Sequence, residues 1–274
     1  MKNSALLCLL AAGCGGSVEA PPAPVTTLVM QTLHLAREEP EGISPGFNLD
    51  GWVSNSLDTR TCSKDDFVDT SGATGIDNQL ARLLPLIDLA GQGAVDALVQ
   101  AAIGEGRLLV LISIQPLEGD RVALGFERGD GVPLLGTDSK VLSGQTLALH
   151  PETMLGVTEG TRNADGSITA DAFALKLPIV VFGILYLLDL PETQMRFTVD
   201  ESGNITTGIL GGAVPVEQLI GFARQAGDSS GNDFVSTFGE GIRDAADMER
   251  NNDTGVCDKM SLAATFDGVP AFKF

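Results

Sequence analysis

The chain of 274 residues contains few side chains of the kinds that hold zinc or act as catalytic bases. It has two histidines, His34 and His150, together with one tryptophan and one tyrosine. Two histidines are few for a zinc site, which commonly uses histidine ligands, or for a histidine-based proton relay. One tryptophan and one tyrosine also provide little of the aromatic surface that sugar-binding clefts commonly use. These shortages disfavour zinc enzymes, histidine-dependent catalysts and sugar hydrolases.

Basic residues are scarce as well. The chain has 17 lysines and arginines against 36 aspartates and glutamates, which gives a formal net charge of −19. A surface of this sign repels phosphate backbones, so we expect no nucleic-acid partner. The sequence also lacks a G-x-S-x-G elbow, a P-loop, a dinucleotide-binding glycine motif and an H-E-x-x-H helix. No recognisable catalytic motif remains.

The chain has no apolar run of the roughly 20 residues that a membrane-spanning helix needs. Residues 5–12 form a shorter apolar run after Lys2, which is typical of an export signal. Small residues directly before Cys14 resemble the bacterial lipobox, and this resemblance implies cleavage after residue 13 and lipid on Cys14. Gly15, in place of aspartate, indicates release to the outer membrane. The alternative is an ordinary signal peptide that is cut after a small residue.

These features predict three parts. Residues 1–13 form a lipoprotein signal peptide, and residues 14–25 comprise the lipidated Cys14 and a flexible tether rich in glycine and proline. Residues 26–274 form a single globular domain, which is held at the membrane by the lipid anchor. We expect the protein to be exported to the cell envelope.

Hydrophobic patterning predicts a β-rich α+β fold for this domain. Several short apolar segments are separated by hairpin signals, without regular alternation of strands and helices. We expect a mostly antiparallel sheet or a sandwich, with a few packed short helices. Residues 177–188 are predicted to form one buried central strand, and residues 37–78 a long structured loop. Long loops of this kind in compact domains tend to be functional.

Two cysteines remain after export. Cys8 leaves with the signal peptide and Cys14 carries lipid, so the mature domain keeps Cys62 and Cys257. An even pair in an oxidising compartment normally closes, and we therefore predict a Cys62–Cys257 disulfide.

Acidic residues cluster on both sides of this predicted bridge. Because bridged cysteines hold their Cα atoms within about 7 Å, the two acid-rich segments would meet. Calcium prefers oxygen ligands and is the natural candidate in an exported protein. The candidate ligands are Asp50, Asp58, Asp66, Asn251, Asp253 and Asp258. The alternative is that each segment is an ordinary turn.

Three short runs carry a resemblance to a family. They are Asn48-Leu49-Asp50-Gly51, Gly75-Ile76-Asp77-Asn78-Gln79-Leu80 and Gly255-Val256-Cys257-Asp258. They resemble segments of predicted lipoproteins of myxobacterial type. The resemblance implies an envelope lipoprotein with paired cysteines. That family carries no assigned activity, so no catalytic residue follows from it.

Three functions are compatible with the sequence. The favoured one is a non-catalytic, outer-membrane-anchored lipoprotein whose domain binds an envelope protein or ligand, with residues 37–78 as the recognition surface. The second is a secreted hydrolase that uses carboxylates such as Asp65, Asp66 or Asp77, which would then lie in a cleft with shifted pKa values. The third is a carrier of a small apolar ligand built around residues 177–188.

Overall fold

The computed structural model describes residues 24–90, 95–181, 184–231 and 233–274. The predicted signal peptide, Cys14 and most of the tether lie outside these ranges. The strands are β1 (Thr26–Leu35), β2 (Phe67–Val68), β3 (Thr74–Ile76), β4 (Val110–Pro116), β5 (Arg121–Asp130), β6 (Gln145–Arg162), β7 (Ser167–Ala170), β8 (Phe173–Val181), β9 (Ile184–Val199), β10 (Ile205–Pro215), β11 (Met248–Arg250) and β12 (Cys257–Lys273). The helices are α1 (Leu80–Ala90), α2 (Val95–Gly104), α3 (Val216–Ser230) and α4 (Phe234–Asp244).

Eight strands form a closed, barrel-like sheet. Their order is β1-β4-β5-β6-β7-β9-β10-β12, and β12 returns to pair with β1, where Val29 faces Val269 and Leu33 faces Phe266. Every neighbouring pair in this ring is antiparallel. The prediction of a β-rich, mostly antiparallel domain is confirmed, and the sheet closes on itself instead of forming a sandwich. Because the sheet closes, β1 and β12 pair with each other, and neither is left as the exposed edge of an open sheet.

Apolar side chains fill the interior of this sheet. The rings of Phe197 and Phe266 lie 6.2 Å apart between β9 and β12, and those of Phe126 and Phe173 stack at 4.9 Å between β5 and β8. All four residues belong to one continuous hydrophobic core. Packing of large apolar rings against one another is a usual source of core stability.

Helix α2 crosses one end of the ring. Strand β8 pairs with β9 and contacts β6, which places it on the side of the ring opposite β1. Because α2 contacts both β1 and β8, it spans the ring between them. Its buried residues Val99, Ala102 and Ile103 join the same core as the sheet. None of the helices in the described ranges combines the length and apolar character needed to cross a bilayer.

The prediction of one central strand over residues 177–188 is wrong. This run supplies parts of two antiparallel strands, β8 and β9, and Leu177 pairs with Leu188 and Val181 with Ile184. Leu177 and Leu188 are buried in the core, whereas Leu187 is half-exposed. A continuous apolar run does not reveal where a hairpin folds it back, because both arms can bury similar residues.

Candidate functional site

The long loop of residues 37–78 packs against β12 and is tied to it by a disulfide. Cys62 and Cys257 are bonded, with their Cα atoms 6.0 Å apart, so the predicted bridge is confirmed. Within the loop, β2 and β3 form a small two-stranded sheet. Three consecutive buried polar residues, Asp77, Asn78 and Gln79, make the next contacts: Asp77 within the loop, and Asn78 and Gln79 to β12.

Asn78 joins three separate segments through one amide. Its Nδ2 atom donates hydrogen bonds to the carbonyl oxygen of Ala36 at 3.1 Å and to Oγ of Ser44 at 2.8 Å. Its Oδ1 atom accepts the backbone N–H of Ala263 in β12 at 2.9 Å. Buried polar groups are costly unless they are paired, so this amide fixes the start of the loop to the sheet.

Gln79 extends the same network. Its backbone N–H donates to Oγ of Ser261 at 2.8 Å, and its side chain donates to the carbonyl oxygen of Asp65 at 2.8 Å. The Ser261 hydroxyl in turn donates to Oδ2 of Asp247 at 2.5 Å, while the Ser261 N–H donates to Oδ1 at 2.7 Å. Ser261 is fully buried and Asp247 nearly so.

The side chain of Asp77, at the end of the loop, hydrogen-bonds to the backbone near the loop's beginning. Its Oδ2 atom accepts the N–H of Leu49 at 2.6 Å and, more weakly, that of Asp50 at 3.4 Å. Only 2% of its surface is exposed. The loop is therefore held on the sheet at several points along its length, by a covalent bond and by buried side chains.

Burial shifts the pKa of three carboxylates at this junction. Burial, together with the nearby charge of Asp50, raises the pKa of Asp77 to about 8. Burial also raises the pKa of Asp66 to about 6 and that of Asp247 to about 7, against the hydrogen bonds from Ser54 and Ser261 that lower them. Three carboxyls are thus protonated more readily than in water.

This arrangement predicts that the domain loses stability as the pH rises. Unfolded aspartates release their protons near pH 4, while the folded Asp66, Asp247 and Asp77 keep theirs to about 6, 7 and 8. Between these values the folded state binds more protons, so the free energy of unfolding falls by about 1.4 kcal/mol per pH unit for each such carboxyl. Denaturant titrations from pH 4 to pH 9 measure this slope.

Asp77→Asn is expected to make that slope shallower, because asparagine mimics the protonated carboxyl. Asp253→Asn is the matched control, since Asp253 is exposed in a turn. Equal slopes for the wild type and Asp77→Asn would contradict the raised pKa of Asp77.

Three of the six predicted calcium ligands, Asp50, Asp58 and Asn251, cap their own turns. Asp58 forms an ion pair with Arg60 at 3.0 Å, and an oxygen of Asp50 accepts the N–H of Trp52 at 2.8 Å. Oδ1 of Asn251 accepts the N–H of Asp253 at 2.9 Å.

The other three predicted ligands are placed differently. Asp66 accepts the N–H of Ser54, twelve residues earlier in the loop, and Asp253 and Asp258 are exposed. In the part of the chain that the structure describes, no three His, Cys, Asp or Glu residues are grouped so that they could hold a metal ion. Calcium binding stays a prediction.

A thermal scan in EDTA and in millimolar calcium tests that prediction. A calcium ion shared by the two segments would raise the midpoint by a few degrees, because a ligand at 100 times its dissociation constant adds about 2.7 kcal/mol. The rise should disappear in the double variant Asp50→Asn/Asp253→Asn. Equal midpoints in the two solutions would contradict calcium binding.

The loop exposes apolar side chains close to its anchored points. Trp52 is 57% exposed and Leu57 is 88% exposed, and Val53 between them is exposed as well. The guanidinium of Arg60 lies over the Trp52 ring, 5.8 Å from its centre. We call Trp52, Val53 and Leu57 the loop surface. Exposed apolar side chains on a well-anchored loop are typical of a binding surface.

Two open grooves of the described residues lie elsewhere. One, of about 230 Å³, is lined by His34, Thr207 and Asp267 among others. The other, of about 410 Å³, lies between α3 and α4 beside Asp233. Neither groove is lined by Asp65, Asp66 or Asp77. The carboxylates with raised pKa values are thus away from both grooves.

Sequence reasoning missed the residues that fasten the loop. The sequence points to Asp77 as a loop carboxylate and as part of the resemblance, and to Asn78 and Gln79 only as part of the resemblance. Nothing in the sequence pairs Ser261 with Gln79, because the two are 182 residues apart. A run of three polar residues directly before the apolar helix α1 was the one visible cue.

Comparisons of the chain with protein-family models, curated proteins and solved structures find no match. The resemblance to predicted lipoproteins of myxobacterial type therefore stays a prediction.

Proposed function

We propose that the protein is an outer-membrane-anchored envelope lipoprotein whose domain is non-catalytic and binds an envelope partner through the loop surface. Residues 5–14 support the anchor, since their pattern resembles an export signal followed by a lipobox. The position of the loop relative to the anchor supports the binding role.

The loop and the point where the tether joins the domain lie at opposite ends of the sheet, and this observation carries the proposal. The tether leads into β1, whose residue Leu28 pairs with Pro270 near the end of β12. The disulfide joins the loop to Cys257 at the start of β12. Thirteen residues of strand separate Cys257 from Pro270, a distance of about 40 Å at the usual rise. An anchored domain therefore carries its loop surface well away from the tether.

The chemistry of the loop suggests the kind of partner. Residues 37–78 contain nine aspartates and glutamates and three arginines and lysines. The loop surface adds an exposed tryptophan, the side chain most often found at the energetic centre of interfaces. We infer a partner with a basic rim around an apolar pocket. Because the loop backbone is already fixed, binding costs little ordering entropy.

Fractionation and capture test the proposal together. We expect the wild-type protein to sediment with membranes and to carry a diacylglyceryl group on Cys14 by mass spectrometry, and the Cys14→Ser variant to lose both properties. Immobilised wild-type protein should retain a partner from envelope extracts, and Trp52→Ser/Leu57→Ser should not. Val157→Ser is the matched control, because Val157 is an exposed apolar residue of β6.

Two results would contradict the proposal. Unmodified Cys14 in a soluble protein would refute the anchor. Identical capture by the wild type and the loop variant would refute the loop surface as the binding site.

A carboxylate-dependent hydrolase is the second candidate, and the raised pKa values of Asp66 and Asp77 favour it. However, an oxygen of Asp77 already accepts the N–H of Leu49, and Asp65 accepts that of Ser56. Turnover of ester, peptide or glycoside substrates that is abolished in Asp77→Asn, with the fold retained, would favour this candidate over the binding domain.

A further inference from the structure

We propose that the end of the sheet beside the tether is a lipid-contacting surface. It is formed by exposed apolar side chains of the segment before β6 and of the end of β12. These side chains are Val132, Leu134, Leu142, Phe272 and Phe274, and we call them the apolar end. The inference rests on the proposed lipid anchor, which would hold this end at a membrane, and it adds a direct contact between the domain and the lipid.

The exposure of these side chains is large. Val132 is 77% exposed and Phe274 is 78% exposed, and the other three are also on the surface. Single exposed apolar residues are normal in soluble proteins. Several that lie on neighbouring segments indicate an interaction surface.

Hydrogen bonds place the first part of this surface together. The N–H of Leu142 donates to the carbonyl oxygen of Leu134 at 2.9 Å. The side chain of Gln145 reaches both residues, since its Oε1 accepts the Leu134 N–H at 2.9 Å and its Nε2 donates to the Leu142 carbonyl at 2.7 Å.

The end of β12 lies alongside the same segment. Thr146 pairs in parallel with Phe272, and the N–H of Phe274 donates to the carbonyl oxygen of Leu147 at 3.3 Å. Phe272 and Phe274 are two residues apart on an extended chain and so face the same side. The leucines and the phenylalanines therefore occupy one end of the molecule.

This end lacks the negative charge of the rest of the protein. Residues 130–146 and 271–274 contain two acids, Asp130 and Asp138, and two bases, Lys140 and Lys273, and Lys273 forms an ion pair with Glu127, in a chain whose net charge is −19. Anionic lipid headgroups repel most of such a protein but not this end. Aromatic and leucine side chains flanked by lysine are typical of residues that settle into the interface of a bilayer.

The tether joins the domain beside the apolar end. Nζ of Lys273 lies 3.0 Å from Oγ of Ser113, and Ser113 pairs with Thr27 in β1. Twelve residues separate Cys14 from Thr26, which allows a reach of at most about 40 Å. A lipid on Cys14 thus keeps the apolar end at a high effective concentration near the membrane. Even if the apolar end has a low intrinsic affinity for lipid, a substantial fraction of the molecules would then be inserted. This proximity favours lipid over a second copy of the chain as the occupant.

Fluorescence quenching by brominated phospholipids tests the contact. In a Trp52→Phe background, Phe272→Trp places a single tryptophan in the apolar end and Val157→Trp places one on the exposed face of β6. Both chains are prepared with wild-type Cys14 and as Cys14→Ser, and are mixed with vesicles that contain phosphatidylethanolamine, phosphatidylglycerol and brominated phosphatidylcholine. We expect a blue shift and strong quenching for Phe272→Trp and neither for Val157→Trp.

A loss-of-contact variant and a size measurement complete the test. Leu134→Ser/Phe272→Ser/Phe274→Ser in the Cys14→Ser chain is expected to weaken vesicle binding about tenfold or more. An unquenched tryptophan at position 272 in a vesicle-bound chain would overturn the proposal. So would a Cys14→Ser protein that is dimeric by ultracentrifugation and becomes monomeric in the serine variant, because the apolar end would then join two copies.

Mass spectrometry of Cys14 separates this inference from the proposed function. Quenching at position 272 together with an unmodified Cys14 would leave the lipid contact standing and refute the anchor. A lipidated Cys14 without quenching would refute the contact alone, and the absence of both would refute both.

Discussion

Replacing Cys62 and Cys257 together by serine is expected to lower the free energy of unfolding by up to about 5 kcal/mol. The bond closes a loop of 195 residues, and in the chain-entropy model such a closure removes about this much free energy from the unfolded state. For a domain of this size the thermal midpoint should fall by about 10 °C. Calorimetry and denaturant titration of residues 15–274 measure both quantities.

The oxidised wild type and the reduced wild type provide the controls for this variant. Reduction should reproduce the loss of stability in the wild type and leave Cys62→Ser/Cys257→Ser unchanged. Equal stabilities of the oxidised wild type and the double variant would contradict the role of the disulfide in holding the loop.

Asn78→Ala is expected to lower the free energy of unfolding by about 3–5 kcal/mol. Alanine cannot reach the carbonyl oxygen of Ala36 or the N–H of Ala263, so both groups would stay buried without a partner. Each unsatisfied buried group costs about 1–3 kcal/mol, and the small cavity adds to this cost. Denaturant titration measures the change, and hydrogen exchange should show faster exchange across residues 37–78.

Asn55→Ala is the matched control for that substitution, because Asn55 is an exposed asparagine of the same loop whose side chain caps only its own turn. We expect its effect to stay below about 1 kcal/mol. Comparable losses in Asn55→Ala and Asn78→Ala would mean that the buried network does not fasten the loop.

Local patterns in the sequence predicted the β-rich character, the disulfide and the long loop better than they predicted how the strands pair. The antiparallel β-rich character, the disulfide and the long loop of residues 37–78 follow from alternation, cysteine count and composition, which are local or additive properties. Closure of the sheet depends on the pairing of β1 with β12, which are more than 200 residues apart in the chain. The hairpin within residues 177–188 was missed because both of its arms are apolar.

The disulfide at the candidate site was predicted, and the buried polar contacts around it were not. The cysteine count correctly indicated the Cys62–Cys257 bond, which brings the Cα atoms of these two residues within 6.0 Å. The sequence could not show which carboxylates would be buried, since burial of Asp77 and Asp247 depends on the packing of a distant loop on β12. The sequence also could not show that the Asn78 side chain hydrogen-bonds to three segments. Two of its partners, Ala36 and Ala263, are 227 positions apart in the chain.

Photo-cross-linking in cells tests most directly whether the loop surface is where the protein binds. A benzophenone amino acid is placed at Val53, which leaves Trp52 and Leu57 intact, and at Val157 as the control. We expect irradiation to give one discrete cross-linked species from position 53, little from position 157, and loss of the species when Asn78→Ala releases the loop. Equal cross-linking from both positions, or none from position 53 while the protein is folded and membrane-bound, would contradict the account.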